Sequence, residues 1–241
     1  MPKSKDIELN EQELIKSIRK SLGLSSREEK EERKLQEAYA TQAKKFDLRT
    51  ELLSNKNKRA HLELMDGYIE TLNQVSAQLD AVDRGEVKSN SSEFRSLKVD
   101  EMYNLNAAFL HGMFFENISD LQSQLTMDTL TFMRLERDFG SFDAWQKDFI
   151  ACAMSCRNGW ALTVYNSHLN RFINVVVDLH NQNIPISSFP VVVLDMWEHS
   201  YYRDYLRDKK TYIHAMMKEL DWEVIEQRVK KADKIAKVMS Q

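Results

Sequence analysis

The chain has 241 residues, 42% hydrophobic and 29% charged, with a formal net charge of -3. That composition describes a globular protein with a sizeable core, in one or two domains, and it excludes a general polyanion (nucleic-acid) binder. No apolar run approaches the ~20 residues of a membrane helix; the opening MPKSKDIELNEQ has no apolar signal core and is too acidic for a transit peptide, so the chain is expected to stay where it is made, in the cytoplasm.

Gly and Pro are scarce, at 6 and 3 residues, which favours long helices. Residues 1–45 form a charged extension. Asn10 and Glu13 make a capping-box pattern, with Leu14, Ile18 and Leu22 following at helical spacing. Gly23 breaks that helix. Ser25 or Ser26 then caps a second, acidic at Glu28 and Glu29, with a stripe of Leu35, Tyr39, Ala43 and Phe46. Both stripes are thin, so these helices need a partner surface. The expectation is a docking arm that contacts its own domain, a second copy or another protein, and whose removal leaves the rest folded.

Residues 46–137 read as a helical hairpin. The first helix covers about Ser54 to Val82, with Leu62, Met65, Ile69, Leu72, Val75 and Leu79 at its spacing. The loop KSNSSE follows, then a helix from about Val99 to Ile118. Residues 138–241 read as an α/β domain. A helix from about Phe142 to Arg157 carries the only cysteines, Cys152 and Cys156. Two thiols one turn apart make a poor zinc site, and reduced core residues are the expectation. The period then changes in WALTVY, FINVVVDL and VVVLDMW, three short strands. Short linkers suggest that sequential strands pair antiparallel. Helices return after Trp197. The fold class is α+β: a long helical hairpin, then a small three-stranded antiparallel sheet flanked by helices, preceded by a helical extension.

Of six histidines, three stand in a telling context. His61 lies on the first hairpin helix, His111 lies among apolar residues on the second, and His199 follows the third strand. A buried imidazole needs partners for its nitrogens. Asp195, at the end of an apolar strand, is a costly buried charge unless paired or coordinated. Three imidazoles and a carboxylate suit a first-row metal such as manganese or iron. His168, His180 and His214 are expected outside the ligand set.

The run Asp195, Trp197, Glu198, His199, Tyr201, Tyr202 resembles the D-x-W-E-H-A-Y-Y signature of the iron/manganese superoxide dismutases. FGSFDAWQKDF, RNGWAL and FLHGMFFENI resemble further segments of that family in the right order, over about residues 46–238. The resemblance implies one manganese or iron ion per chain, held by His61, His111, Asp195 and His199. It implies Tyr68 as a gateway phenol, although Tyr68 stands seven rather than eight residues after His61, a rotation of about 100° on a helix. Ala107 occupies one of the family's two places for an active-site Gln. The other falls at Gln182, an arrangement that leans to manganese. Trp160 and Trp197 wall the site. Glu198 reaches across a homodimer interface to a ligand His, with Tyr202 beside it, and Arg203 and Arg207 steer the anion. Phe115 and Leu162 stand where the family has Trp. The implied activity is dismutation of superoxide, an antioxidant reaction. The alternative is a structural or interaction subunit of a large particle such as a virion or ribosome, reusing the fold.

Overall fold

The computed structural model describes residues 4–24, 38–85, 87–118 and 123–239. Along them run α1 (Ser4–Ser21), α2 (Asn55–Ala81), α3 (Glu93–Asn117), α4 (Leu130–Phe139), α5 (Phe142–Ser155), β1 (Gly159–Asn166), β2 (Arg171–Asp178), β3 (Ser188–Asp195), α6 (Glu198–Tyr205), α7 (Lys209–Lys218) and α8 (Trp222–Met239). The α+β class is as expected. The chain forms two compact units: residues 1–44 with 63–108, and residues 45–62 with 109–241.

In the first unit, α1 begins before the expected cap, so Asn10 lies inside it. Its end is as expected. Gly23 takes φ 66°, and the Leu24 N–H returns to the Arg19 carbonyl at 3.0 Å, closing the helix in a left-handed cap. The expected second helix of the extension falls partly on residues 25–37, outside those described. From residue 38 to 50 the chain is not helical. The reason is tertiary: its backbone polar groups are taken by side chains. The Tyr39 N–H donates to Ser76 Oγ at 2.8 Å. The Thr41 N–H donates to Asn73 Oδ1 at 2.7 Å, and Asn73 Nδ2 donates back to the Thr41 carbonyl at 2.8 Å. The Tyr39 hydroxyl donates to Glu101 at 3.0 Å, and Arg19 of α1 ion-pairs with buried Asp80 of α2. The extension therefore docks on the hairpin helices of its own chain. Val75, Leu79 and Leu97 make an apolar cluster in this unit, with Val82 and Phe94 against it.

The second unit is built on the sheet, whose order is β2-β1-β3. Sequential pairing holds for β1 with β2 but not for β2 with β3, because β3 crosses to the far side of β1. β1 is buried along its whole length, so it is the strand that gains most from neighbours on both edges. Pro190, which has no N–H to offer, lies on edge strand β3, beside a register shift at Thr163/Val164. Gly159 opens β1 because a Cβ there would collide with the Val177 carbonyl oxygen. α5 covers β1 and β2, and α8 lies on β3. α4 has no counterpart in the sequence reading. Thr129 caps its start, accepting from the Phe132 N–H, and Gly140 at φ 85° ends it, so that Ser141 caps α5 at once. Buried Arg228 of α8 binds Asn117 Oδ1, the Val191 and Met113 carbonyls and Glu116, tying α3 and β3 to α8. Both cysteines are free thiols, and burial pushes that of Cys156 up to about 12.

Candidate metal centre

All four expected ligands lie in the second unit and converge. Ser54 starts α2, its Oγ accepting the Asn57 N–H at 3.2 Å, and His61 follows on the second turn. His111 sits six residues before the end of α3. Asp195 closes β3 opposite Trp160 of β1. The chain then turns into α6, whose second residue is His199. The turn is fixed by Asp195 itself: its Oδ1 accepts the Trp197 N–H at 2.8 Å. Its carbonyl accepts from Ser200 Oγ and the Tyr212 hydroxyl at 3.0 and 2.8 Å. Asp195 Oδ2 is left facing the histidines.

That oxygen lies 3.1 Å from His61 Nε2, 3.2 Å from His199 Nε2 and 3.5 Å from His111 Nε2. The Nε2 atoms of His111 and His199 are 3.5 Å apart. The four donor atoms lie within 4.8 Å of one another. Two donors each about 2.1 Å from one ion stand roughly 3.0 Å apart at 90° and roughly 3.6 Å apart at 120°. The four separations of 3.1, 3.2, 3.5 and 3.5 Å fall in that range, so the donor set fits a bound ion. His61, His111 and Asp195 are buried, and His199 keeps partial access. Burial alone would raise the Asp195 carboxyl, but the charge and hydrogen bonds of His199 and His61 hold it well below the usual carboxylate range.

Aromatic rings line the cluster. Phe115 meets the His61 ring at 4.9 Å and Trp160 meets the His111 ring edge-on at 4.9 Å. Trp197 stacks between His199 and His180, at 5.9 and 4.9 Å. Phe46, read above as helical, instead packs from an irregular segment onto Phe115 at 5.4 Å. Phe115 thus fills the wall where the family has Trp.

The turn after β2 departs from expectation. Gln182 is exposed there, and its backbone bridges Asp178. The buried side chain of this turn is His180, wholly enclosed. Leu179, at φ 55°, reverses the chain and swings His180 inward. Trp160 Nε1 donates to His180 Nδ1 at 3.0 Å, so the neutral ring carries its proton on Nε2. Burial brings the imidazole down to about 4. Burial, the left-handed Leu179 and the Trp160 partner distinguish His180 from Gln182, and the sequence shows none of the three. His168 and His214 are exposed, apart from the cluster. Glu198 and Tyr202 are exposed on α6 with His199; Arg203 and Arg207 are exposed too, with Arg203 Nη1 on the Lys56 carbonyl at 3.3 Å. Tyr68 belongs to the first unit, its ring 6.4 Å from Tyr103. Ala107 is buried there too.

Burial also depresses His61. Below a pH of about 6.5 the unfolded chain binds protons at His61 and His180 that the folded chain refuses, so stability falls as pH drops. For His180 the loss is complete below about 4. The urea midpoint of metal-free protein should therefore be clearly lower at pH 5 than at pH 7.5. An equal or higher midpoint at pH 5 would contradict the burial of these neutral rings.

Among the described residues no helix is long and apolar enough to cross a membrane. A family model described as iron/manganese superoxide dismutases, C-terminal domain, matches residues 128–228. An iron superoxide dismutase of Aquifex pyrophilus is 31% identical over 186 residues, covering 76% of this chain and 86% of that one. Manganese superoxide dismutase 2 of Haloferax volcanii is 35% identical over 158 residues, 65% of this chain and 76% of its own. Manganese superoxide dismutase 1 of Haloferax mediterranei is 37% identical over 150 residues, 62% of this chain and all of that sequence.

Proposed function

The chain belongs to the iron/manganese superoxide dismutase family, and on that premise we propose that His61, His111, Asp195 and His199 hold its iron or manganese ion. The observation that carries this is the convergence of three imidazole nitrogens on one carboxylate oxygen. The bound ion supplies one-electron exchange with superoxide, so that two superoxide anions and two protons give dioxygen and hydrogen peroxide. A metal with two accessible oxidation states is required, which excludes zinc as the working ion. The relatives include both iron and manganese enzymes, and the choice of metal is open to measurement. The structural-subunit reading finds no support in relatives named as superoxide dismutases. Purified protein loaded with manganese or iron should hold about one ion per chain and consume superoxide in proportion to it. Stoichiometric metal without superoxide consumption would overturn the proposal.

The protein's own part is to hold, shield and feed protons to the reacting position. Phe115, Trp160 and Trp197 keep bulk water from the ligands. Asp195 offsets the charge of the ion. His180, neutral and carrying its proton on Nε2, serves the site as a proton-bearing neighbour in the role expected of Gln182. His180→Ala should then lower turnover by roughly 10²-fold, in the range of general acid–base groups, while Gln182→Ala leaves it within about twofold. Stopped-flow superoxide decay separates the two. Equal effects would return the role to Gln182. Tyr68 is proposed as the gateway phenol from the family pattern alone.

Glu198 and Tyr202 stand exposed on α6 next to partly accessible His199. We propose that this face meets a second copy of the chain, Glu198 accepting the free N–H of a ligand imidazole across a two-fold axis. Glu198→Ala should weaken dimerisation and metal retention together. The joint loss, by sedimentation and metal analysis, is the mark of a shared side chain. A fully metallated, fully active monomer would refute the interface.

A further inference from the structure

Asn57 and His61 lie one helical turn apart on α2, where side chains at i and i+4 are neighbours. Asn57 is 1% exposed. Its Nδ2 donates to the Ser200 carbonyl at 3.0 Å. A carbonyl only accepts, so the amide orientation is fixed, with NH2 toward α6 and Oδ1 away from it. That Oδ1 is buried with no hydrogen-bond partner, and so is Nδ1 of His61. Orphaned buried polar atoms are rare and call for a physical reason.

The two orphans complement each other. His61 turns Nε2 toward Asp195 Oδ2, so a neutral imidazole using that nitrogen as a ligand carries its proton on Nδ1 and must donate it. Asn57 Oδ1 is an acceptor. We propose that Asn57 is the positioning residue of His61: its Oδ1 accepts a hydrogen bond from Nδ1–H as the imidazole turns onto the ion, fixing tautomer and ring plane. The same amide holds Ser200, the residue after His199. One side chain therefore couples the helices that carry two of the ligands. The proposal rests on the metal-site reading above.

The test uses the full chain loaded with zinc as a diamagnetic stand-in, with 15N-labelled histidine. A slowly exchanging His61 Nδ1–H should be visible in the unaltered protein and in Asn57→Asp, which keeps an acceptor, and lost in Asn57→Leu. Zinc binding should weaken about 10- to 100-fold in Asn57→Leu, the usual cost of removing a ligand's supporting partner. If Asn57→Leu retains the signal and binds within about threefold, the role is refuted, because supporting partners cost more than that. Should Asn57→Leu fail to fold, Asn57→Asp decides: loss of the Nδ1–H signal in it also refutes the role. Zinc binding abolished by His61→Ala but unmoved at Asn57 sinks this proposal alone. An unaltered protein that binds neither zinc nor manganese sinks the metal site with it.

Discussion

Asp195→Asn should leave the protein folded and nearly empty of metal. The substitution keeps the shape of the side chain, and an amide oxygen can still accept the Trp197 N–H now held at 2.8 Å. The backbone carbonyl keeps its bonds from Ser200 and Tyr212, so the turn into α6 survives. What is lost is the one formal negative charge among the four ligands. Three neutral imidazoles would face a divalent or trivalent ion in a buried site, and an uncompensated buried charge is strongly disfavoured. Removing a group that merely supports a ligand costs about 10- to 100-fold in affinity or activity, and removing a ligand costs more. We expect less than about a tenth of the metal to remain and dismutase activity to fall by at least about 10³-fold. His168→Ala and His214→Ala, both exposed, should change neither. Full metal and activity in Asp195→Asn would dismiss the carboxylate as a ligand.

Deleting residues 1–44 should lower the melting temperature while leaving metal binding in place. The sequence reading expects the truncated chain still to fold and bind metal while losing an assembly or a partner; the contacts of the arm with its own chain add a cost in stability. Four hydrogen bonds join the arm to Asn73, Ser76 and Glu101, and Arg19 pairs with Asp80. At about 0.5–1.5 kcal/mol net for each bond, less the cost of ordering the arm, the loss is about 2–4 kcal/mol. For a chain of this size that is roughly 5–15 °C. Burial and Glu101 also raise the Tyr39 phenol, so Tyr39→Phe should reproduce part of the loss. The four proposed ligands belong to the other compact unit, so the ion should stay. An unchanged melting temperature, followed by calorimetry alongside metal analysis, would make the arm an ornament. Loss of metal would make it part of the site.

The residues that converge in the second unit were legible as candidates, two of them because their signal is local. Asp195 and His199 are four residues apart, spanning the strand–helix turn, and the aromatic run around them is distinctive. His111 was legible as a polar residue inside an apolar helix. What stayed hidden depends on contacts far along the chain. Strand order turned on which strand could be buried on both edges. The course of residues 38–50 turned on Asn73 and Ser76, more than thirty residues away. His180 and Gln182 are equally good candidates until Leu179 adopts a left-handed conformation and Trp160 supplies the donor. α4 carried its signals, Thr129 and Gly140, in a stretch too short for periodicity to stand out.

His61 and Asp195 are 134 residues apart in sequence, and this has a consequence for the order of folding. Closing a loop of that length costs about 4 kcal/mol of chain entropy. Among the described residues the strand that presents Asp195 pairs with β1 alone, so that hairpin-skipping pairing must form before the carboxylate is in place. The ion therefore cannot seed the fold, as it does in small zinc modules. On this topology we expect it to be captured late, by a chain already assembled, and to slow unfolding once bound.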